Sequence, residues 1–304
     1  MIPIIDPVDR TLILKELTAD KLLRKTNNGG NEIYVVTARN SPNIMQELGR
    51  LRELSFRDAG GGTGATVDID AEDTAEEGYQ QLFVWDPKAQ EIVGGYRFIV
   101  SRTPHPKHMS TEHYFRFSDK FRNEFLPYTI ELGRSFVQPL YQGIRQNPKG
   151  LYSLDNLWDG LGALVVTNPD MKYFFGKVTM YGDYNKEARD LLIYFLKKYF
   201  PDRDKLVDPI YPIELDIDNE AMGAVFCGES YAEDYKILTR EIRKCRENIP
   251  PLINSYMNLS PTMRVFDTVE NPDFGGVEET GILLAIKDIY LEKRERYTRW
   301  RGWS

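Results

Sequence analysis

Residues 129–137, Thr-Ile-Glu-Leu-Gly-Arg-Ser-Phe-Val, place the charged side chains of Glu131 and Arg134 inside an otherwise apolar run. If no bulge interrupts this predicted strand, its side chains alternate between two faces, with Ile130, Leu132 and Arg134 on one and Glu131, Gly133 and Ser135 on the other. Because charges are costly to bury without partners, the strand carries either a paired core network or a functional site.

Residues 94–98, Gly-Gly-Tyr-Arg-Phe, repeat this pattern upstream as a strand-like run with one arginine, Arg97. If the two strands are neighbours, Arg97, Glu131 and Arg134 form a charged cluster on one sheet. The residues alone fit a structural ion-pair network and an active site equally well.

The composition indicates an ordinary globular protein, with 304 residues, 41% of them hydrophobic and 28% charged. We expect a single domain over residues 1–304, with a core at about 32–210 and a C-terminal extension at about 211–304 packed on it. The net charge of −7 argues against a nucleic-acid partner. The first residues lack a secretory signal and no run of about 18 apolar residues occurs, so we expect a cytoplasmic protein.

Hydrophobic periodicity predicts a mixed α/β (α+β) fold with a largely antiparallel sheet flanked by helices. The predicted elements are, in chain order, a strand at 32–38, a helix at 43–57, strands at 80–85, 91–101 and 128–137, a helix at 153–166, a strand at 173–181, helices at 185–199 and 229–248, and a return to the sheet at 266–289 before a last helix. The acidic segment 67–78 is predicted as a loop.

Other chemistries find little support in the sequence. The glycine run at 60–64 lacks the Lys-Ser/Thr ending of a phosphate-binding loop, so we expect a flexible lid or a turn there. His105, His108 and His113 match no zinc spacing, and we expect no metal site. Cys227 lies in an apolar context, which predicts an inert, buried thiol.

Several segments occur in the order of one known family. They are 52–56 (Arg-Glu-Leu-Ser-Phe), 93–98 (Val-Gly-Gly-Tyr-Arg-Phe), 131–137 (Glu-Leu-Gly-Arg-Ser-Phe-Val), 157–161 (Leu-Trp-Asp-Gly-Leu), 174–178, 249–253 and 271–274. The chain thereby resembles the GNAT-superfamily acyltransferases of the ornithine-lipid and glycine-lipid N-acyltransferase family, often labelled hemolysin-like and related to acyl-homoserine-lactone synthases. The resemblance covers roughly residues 32–290 and implies a GNAT-like sheet.

The resemblance implies a set of site residues. Arg52 and Phe56 match the pair that shapes the acyl-donor side, Arg97 matches the strand arginine, and Glu131 and Arg134 match the paired Glu-x-x-Arg. The remaining substrate-binding candidates are Asp70 and Asp73 in the acidic loop, where Asp68 is a further candidate, and Ser135, Phe136 and Val137 on the strand. Backbone N–H groups of that strand are expected to hold an oxyanion.

The implied reaction is amide formation, in which a free amine attacks a thioester carbonyl without a covalent enzyme intermediate. Glu131 is expected to take the amine's proton, directly or through a water molecule, or else to orient Arg97 or Arg134. Burial raises a carboxyl pKa and flanking arginines lower it, so both roles stay open. An arginine is expected to recognise the carboxylate of an amino-acid acceptor.

The donor is expected to be an acyl carrier protein thioester. Acetyl-CoA-using GNAT enzymes carry an Arg/Gln-x-x-Gly-x-Gly/Ala loop after this strand, whereas residues 138–150 contain only the pairs Gln-Gly at 142–143 and Lys-Gly at 149–150. The phosphopantetheine arm would then enter between separated strands, and the helix start near Ser153 offers N–H groups to its phosphate. No bound cofactor is implied, and acyl-CoA stays as the other possible donor.

The last residues, 293–303, are basic and aromatic: Lys-Arg-Glu-Arg-Tyr-Thr-Arg-Trp-Arg-Gly-Trp. Such a segment suits a membrane surface or an acidic carrier protein, and a solvated helix end is the alternative. We therefore expect residues 293–304 to make peripheral contact with the inner membrane face.

Taken together, these features predict an N-acyltransferase for aminolipid synthesis. It would transfer a (3-hydroxy)acyl chain from acyl carrier protein to the α-amine of a small amino acid. The alternatives are an acetyl-CoA-dependent N-acetyltransferase and a non-catalytic acyl- or lipid-binding protein on the same fold.

Overall fold

The computed structural model of the protein describes residues 1–142, 150 and 152–298. Its strands are β1 (Leu22–Lys25), β2 (Glu32–Val36), β3 (Gln80–Asp86), β4 (Glu91–Ser101), β5 (Phe115–Phe117), β6 (Thr129–Val137), β7 (Tyr173–Met180), β8 (Val207–Pro209), β9 (Arg264–Asn271) and β10 (Val277–Ala285). Its helices are α1 (Arg10–Glu16), α2 (Pro42–Asp58), α3 (Ala71–Thr74), α4 (Ser153–Thr167), α5 (Lys186–Tyr199), α6 (Asn219–Val225), α7 (Tyr231–Lys244), α8 (Pro251–Met257) and α9 (Leu291–Thr298).

The centre of the fold is an eight-stranded sheet in the order β1-β2-β3-β4-β6-β7-β10-β9. Its neighbouring strands are antiparallel except β6 and β7, which are parallel because α4 crosses over between them. This confirms the predicted mixed fold with a largely antiparallel sheet and flanking helices. The strands β9 and β10, from the predicted C-terminal extension, belong to this same sheet, while β5 and β8 pair separately.

The two parallel strands separate halfway along their length. Their paired residues run from Thr129 opposite Tyr173 to Leu132 opposite Gly176. Beyond this point β6 continues to Val137 and β7 to Met180. The sheet therefore opens in its middle, and backbone groups along this edge of β6 face the opening.

Apolar side chains cover both faces of the sheet. Alternation along β3 sends Leu82 and Val84 into a cluster with α4, α5, α7 and α8, and sends Phe83 and Trp85 into a cluster with α2. A third cluster, rich in phenylalanine, lies on the same face of the sheet as the second and includes Phe175, which is paired with Glu131. The charged residues of β4 and β6 lie between the second and third clusters.

A bulge in β6 overturns the simple alternation predicted for it. Gly95 pairs with Phe136 and Arg97 pairs with Gly133, so β6 has one residue more than β4 in this interval. Arg134 takes a left-handed backbone conformation, with φ of 49°. Its side chain consequently lies on the face of Glu131, so the prediction that it shares a face with Leu132 was wrong.

Two further local predictions need correction. The segment 67–78 is not wholly a loop, because Asp70 and Asp73 form a reciprocal capping box that starts the short helix α3. Cys227 is exposed rather than buried, since the bulkier Phe226 before it fills the core position at the end of α6.

The C-terminal helix α9 packs against α4 and also contacts Arg24 of β1. Arg24 donates a hydrogen bond to the carbonyl of Tyr297 over 3.0 Å, and Arg296 forms a 2.7 Å ion pair with Asp155.

The rest of the basic, aromatic segment, with Arg299, Trp300, Arg301 and Trp303, lies outside the described residues. The membrane or carrier-protein contact of 293–304 thus stays a prediction. Among the described helices, none is long and apolar enough to cross a membrane.

Replacing Gly162 by alanine tests the contact between α4 and α9. A Cβ at this position would overlap the backbone of Tyr297, so α9 must shift. We expect Gly162→Ala to lower the free energy of unfolding by about 1–3 kcal/mol and to make α9 sensitive to protease. At Gly182 an added Cβ meets no atom within 4 Å, so Gly182→Ala is the control. Equal stability and proteolysis of the two variants would contradict this packing.

Candidate active site

A buried ion network joins α2 to the segment around α3. Arg52 lies on the inward face of α2 and is 1% exposed. Its Nε donates to Asp68 over 2.9 Å and its Nη2 donates to Asp73 over 3.1 Å. Gln81 on β3 donates to the other oxygen of Asp73 over 2.9 Å. This network fixes the acidic segment against the sheet.

The arginines of the two central strands complete the network. Arg97 of β4 lies 2.5 Å from Asp70 and 3.3 Å from Asp73. Arg134 of β6 lies 2.9 Å from the same Asp68 oxygen that binds Arg52. Three guanidinium groups thus meet three carboxylates in alternation, which leaves the cluster without net charge.

Mutual pairing offsets the cost of burying these charges. Burial favours the neutral form of Asp68, but Arg52 and Arg134 outweigh it and lower its pKa. Burial likewise opposes the charge of Arg97, yet the neighbouring carboxylates raise its pKa well above the usual value. Burial raises the pKa of Asp70, and Arg97 opposes this effect. Loss of one member of the network would leave its partner as an unpaired buried charge.

Glu131 lies beside this network without an ion pair to either strand arginine. Its carboxylate accepts hydrogen bonds from Tyr79 Oη at 2.7 Å, from Ser110 Oγ at 3.2 Å and from Thr111 N at 3.0 Å. The Tyr79 ring in turn packs against Arg97, 4.3 Å from its Cζ. Burial raises the pKa of Glu131, and the hydrogen bonds of Tyr79 and Thr111 partly oppose this.

A cavity of about 470 Å³ occupies the opening between β6 and β7. This volume is typical of small-molecule sites. Its floor is formed by four adjacent strands, with Arg97 of β4, Gly133 of β6, Lys177 of β7 and Glu279 of β10. The three charged side chains make this floor polar. Its walls are largely apolar and include Phe56, Phe136, Leu154, Leu157, Leu252 and Phe274. The cavity therefore offers a polar centre inside an apolar channel.

The structure divides the predicted site residues into two groups. Those that line the cavity are Phe56, Arg97, Arg134, Ser135, Phe136 and Val137. Those that stand behind it, in the ion network or its hydrogen bonds, are Arg52, Asp70, Asp73 and Glu131. Phe56 packs edge-on against Phe274, whose ring lies 4.4 Å from Arg134 Cζ. Both groups therefore converge on one site.

Sequence reasoning gave no role to a second charged pair in this cavity. Lys177 Nζ of β7 lies 2.6 Å from Glu279 Oε2 of β10, and both line the cavity. Lys177 interrupts an apolar strand, as Glu131 does, so the same signal was present in the sequence. Its partner comes from a strand far along the chain and had no such signal.

Within the described residues, no group of three or more His, Cys, Asp or Glu side chains is arranged to hold a metal ion. His113 of the predicted histidine segment instead bonds to Glu72 over 3.0 Å. Most of the predicted donor loop, residues 143–149, and residue 151 lie outside the described residues.

Comparison with known proteins defines the class of this chain. Residues 51–148 match the family model of the acetyltransferase (GNAT) domain, a span that contains the ion network and β6. A solved structure of a CoA-dependent acyl-homoserine lactone synthase also aligns, with 14% identity and a TM-score of 0.34, over 89% of this chain and 96% of that chain.

Curated relatives are much more similar. A glycine N(alpha)-acyltransferase from Bacteroides thetaiotaomicron is 54% identical over 97% of this chain and 89% of its own length. One from Phocaeicola vulgatus is 54% identical over 97% of this chain and 92% of its own length. The chain belongs to this family of GNAT acyltransferases and is an N-acyltransferase.

The network predicts a large stability loss when its central carboxylate is neutralised. Asp68→Asn leaves Arg52 and Arg134 facing each other without a charge between them, so we expect a loss of about 3–5 kcal/mol in urea unfolding. Asp170→Asn is the matched control, because Asp170 pairs with Arg102 on the surface, where both are more than half exposed. That variant should lose at most about 1 kcal/mol. Similar losses in both variants would argue against the network.

Proposed function

We propose that this enzyme transfers a long acyl chain from acyl carrier protein to the α-amine of glycine. The cavity at the opening between β6 and β7 carries the proposal, because it combines a polar floor with apolar walls. The name of the relatives supports glycine as the acceptor. An N-acylated amino acid of this kind is an intermediate for a membrane aminolipid.

The opening in the sheet suits the donor thioester. An extended phosphopantetheine arm can add to the free edge of β6 as a pseudo-strand, since residues beyond Leu132 have left the pairing with β7. The acyl chain then runs along the apolar walls. A narrower apolar crevice continues from the cavity between β6 and β7 and is lined by Tyr96, Phe174, Tyr256 and Leu284.

The bulge in β6 is assigned to charge stabilisation in the transition state. It interrupts the regular pairing of β6 with β4 around Arg134 and Ser135, two residues that line the cavity. Arg97 adds a side-chain donor, because its buried Nε has no hydrogen-bond partner in the described part of the chain. Donors fixed in advance around the thioester oxygen stabilise a developing oxyanion without reorganisation.

The ion network and Glu131 are assigned to holding these donors in place. Arg134 contributes its position at the cavity wall, and its ion pair with Asp68 fixes the bulge. Glu131 holds Tyr79, and through the ring of Tyr79 it orients Arg97. Of the two roles expected for Glu131, proton acceptor and orienting residue, this assignment adopts the second. The reason is that the oxygens of Glu131 already accept hydrogen bonds from protein groups.

The first test compares donors and acceptors. The purified protein should release free thiol from long-chain acyl carrier protein when glycine is present, and release little without it. Because the sequence lacks the usual acetyl-CoA loop pattern, acetyl-CoA should be a poorer donor under matched conditions. A clear preference for acetyl-CoA would place the chain among N-acetyltransferases, and the absence of turnover with every donor would favour a binding protein.

The second test removes the positioning of the donors. Arg134→Ala and Glu131→Gln should each lose most of the thiol-release activity while remaining folded by circular dichroism, because the oxyanion donors lose their fixed geometry. Arg102→Ala serves as the control, since Arg102 is exposed and pairs with Asp170. Wild-type rates from both site variants would mean that the cluster has a purely structural role.

A further inference from the structure

The pair of Lys177 and Glu279 has no part in the assignments above, although it lines the same cavity. The two residues continue a row of same-face positions across four strands. Arg97 of β4 is register-paired with Gly133 of β6. Lys177 of β7 is register-paired with Gly281 of β10, so Glu279, two residues before Gly281, lies diagonally across from Lys177 on the same face. Gly133 contributes no side chain to this row, so space remains between Arg97 and the pair.

Lys177 is an unusual residue at this position because its side chain is only 10% exposed. Its Nζ lies 3.9 Å from the centroid of the Tyr114 ring, which contacts the ammonium as a cation–π partner. Burial lowers the pKa of Lys177, and the carboxylate of Glu279 opposes this effect. Beyond this partner, the ammonium has donors to spare, since a lysine carries three N–H bonds.

The carboxylate of Glu279 is hydrogen-bonded through one of its two oxygens. Its Oε2 accepts hydrogen bonds from Lys177 at 2.6 Å and from Asn271 Nδ2 at 3.1 Å. Asn271 is itself fixed by Tyr114, whose hydroxyl donates to Asn271 Oδ1 over 2.9 Å. Within the described residues both hydrogen bonds reach the same oxygen, which leaves Oε1 as the oxygen for a ligand in the cavity. Lys177, Glu279, Asn271 and Tyr114 thus form a closed, rigid arrangement.

This arrangement complements a free amino acid. At neutral pH the acceptor is a zwitterion, with an ammonium and a carboxylate a few bonds apart. A neighbouring lysine and glutamate present the opposite charges at a similar spacing, the lysine to the carboxylate and the glutamate to the ammonium of the acceptor. The acceptor can therefore replace part of the pairing between Lys177 and Glu279, and the net charge of the site does not change. The three arginines of the network are less suited to this task, because each already faces at least one aspartate.

We propose that Lys177 and Glu279 form the acceptor site, in which Lys177 binds the carboxylate of the amino acid and Glu279 accepts the proton of its ammonium. Asn271 is a positioning residue, because it donates a hydrogen bond to Oε2 of Glu279 and not to Oε1, the oxygen assigned to the ligand. The inference rests on the proposed function and deepens it, because it separates the acceptor site at β7 and β10 from the donor site at β6.

The reaction then balances as follows. Glu279 takes one proton from the ammonium, and the neutral amine attacks the thioester carbon. A C–N bond forms, the carbonyl oxygen becomes an oxyanion, and collapse of this intermediate breaks the C–S bond. The nitrogen loses a second proton to the departing thiolate, which leaves as a free thiol. Glu279 returns its proton to solvent, and no oxidant or further reactant is needed.

Two substitutions separate the two roles. Lys177→Met should raise the KM for glycine about tenfold or more, and should weaken binding of N-decanoylglycine, measured by calorimetry, by a similar factor, because a charged hydrogen bond to the carboxylate is lost. Glu279→Gln should lower kcat with glycine by about 10²- to 10⁴-fold. Its binding of N-decanoylglycine should change little, since the product nitrogen carries no ammonium.

A second nucleophile distinguishes proton transfer from misfolding. Hydroxylamine is largely uncharged at neutral pH, so it does not need Glu279, and Glu279→Gln should use it at close to the wild-type rate. Glu278→Gln is the matched control. Glu278 directly precedes Glu279 on β10, pairs with Arg189 and does not line the cavity. This control should retain wild-type kinetics with both nucleophiles.

The inference is overturned if Lys177→Met binds N-decanoylglycine as the wild type does, or if Glu279→Gln retains wild-type kcat with glycine. It is also overturned if Glu279→Gln loses activity with hydroxylamine and glycine equally. Failure of the proposed function is a separate result, in which the wild-type protein does not acylate glycine with any of the acyl donors tested. The binding comparison between wild type and Lys177→Met still tests the acceptor site in that case.

Discussion

The bifurcated contact of Asp68 with Arg52 and Arg134 is the constraint on which the site depends. One carboxylate joins α2, the acidic segment and the bulged strand β6. An arginine in a left-handed backbone conformation is strained, and its ion pair holds it there. Because the network has three charges of each sign and is buried, its members cannot rearrange singly without leaving an unpaired charge.

The same constraint shapes the candidate site. The bulge and the separation of β6 from β7 release backbone groups on opposite sides of one strand, near Arg134 and beyond Leu132. In an ordinary sheet these groups would be consumed by neighbouring strands. Here the residues from Gly133 to Val137 line a cavity, and the cost of opening the sheet is offset by the apolar clusters that cover both faces.

The cavity floor has two charged systems with different properties. In the arginine–aspartate network each guanidinium is ion-paired with at least one aspartate, which suits the fixed placement of donors. The Lys177–Glu279 pair lines the cavity, and the acceptor role proposed for it requires the exchange of a ligand and a proton. Preorganised dipoles and a separate proton acceptor are complementary means of lowering the barrier to acyl transfer.

The sequence by itself determined the order of the longer helices and strands, the mixed sheet and the family, because these follow from local periodicity and from motifs within short segments. It did not reveal the short elements α1, β1, β5, β8, α6 and α8. It also marked Arg97, Glu131 and Arg134, since charges inside apolar strands stand out. Only the tertiary structure decided that Arg134 sits in a bulge, that Glu131 bonds to Tyr79, and that Lys177 meets Glu279. Each of these depends on the register between strands distant in the chain, and register is set by packing of the whole sheet rather than by any one segment.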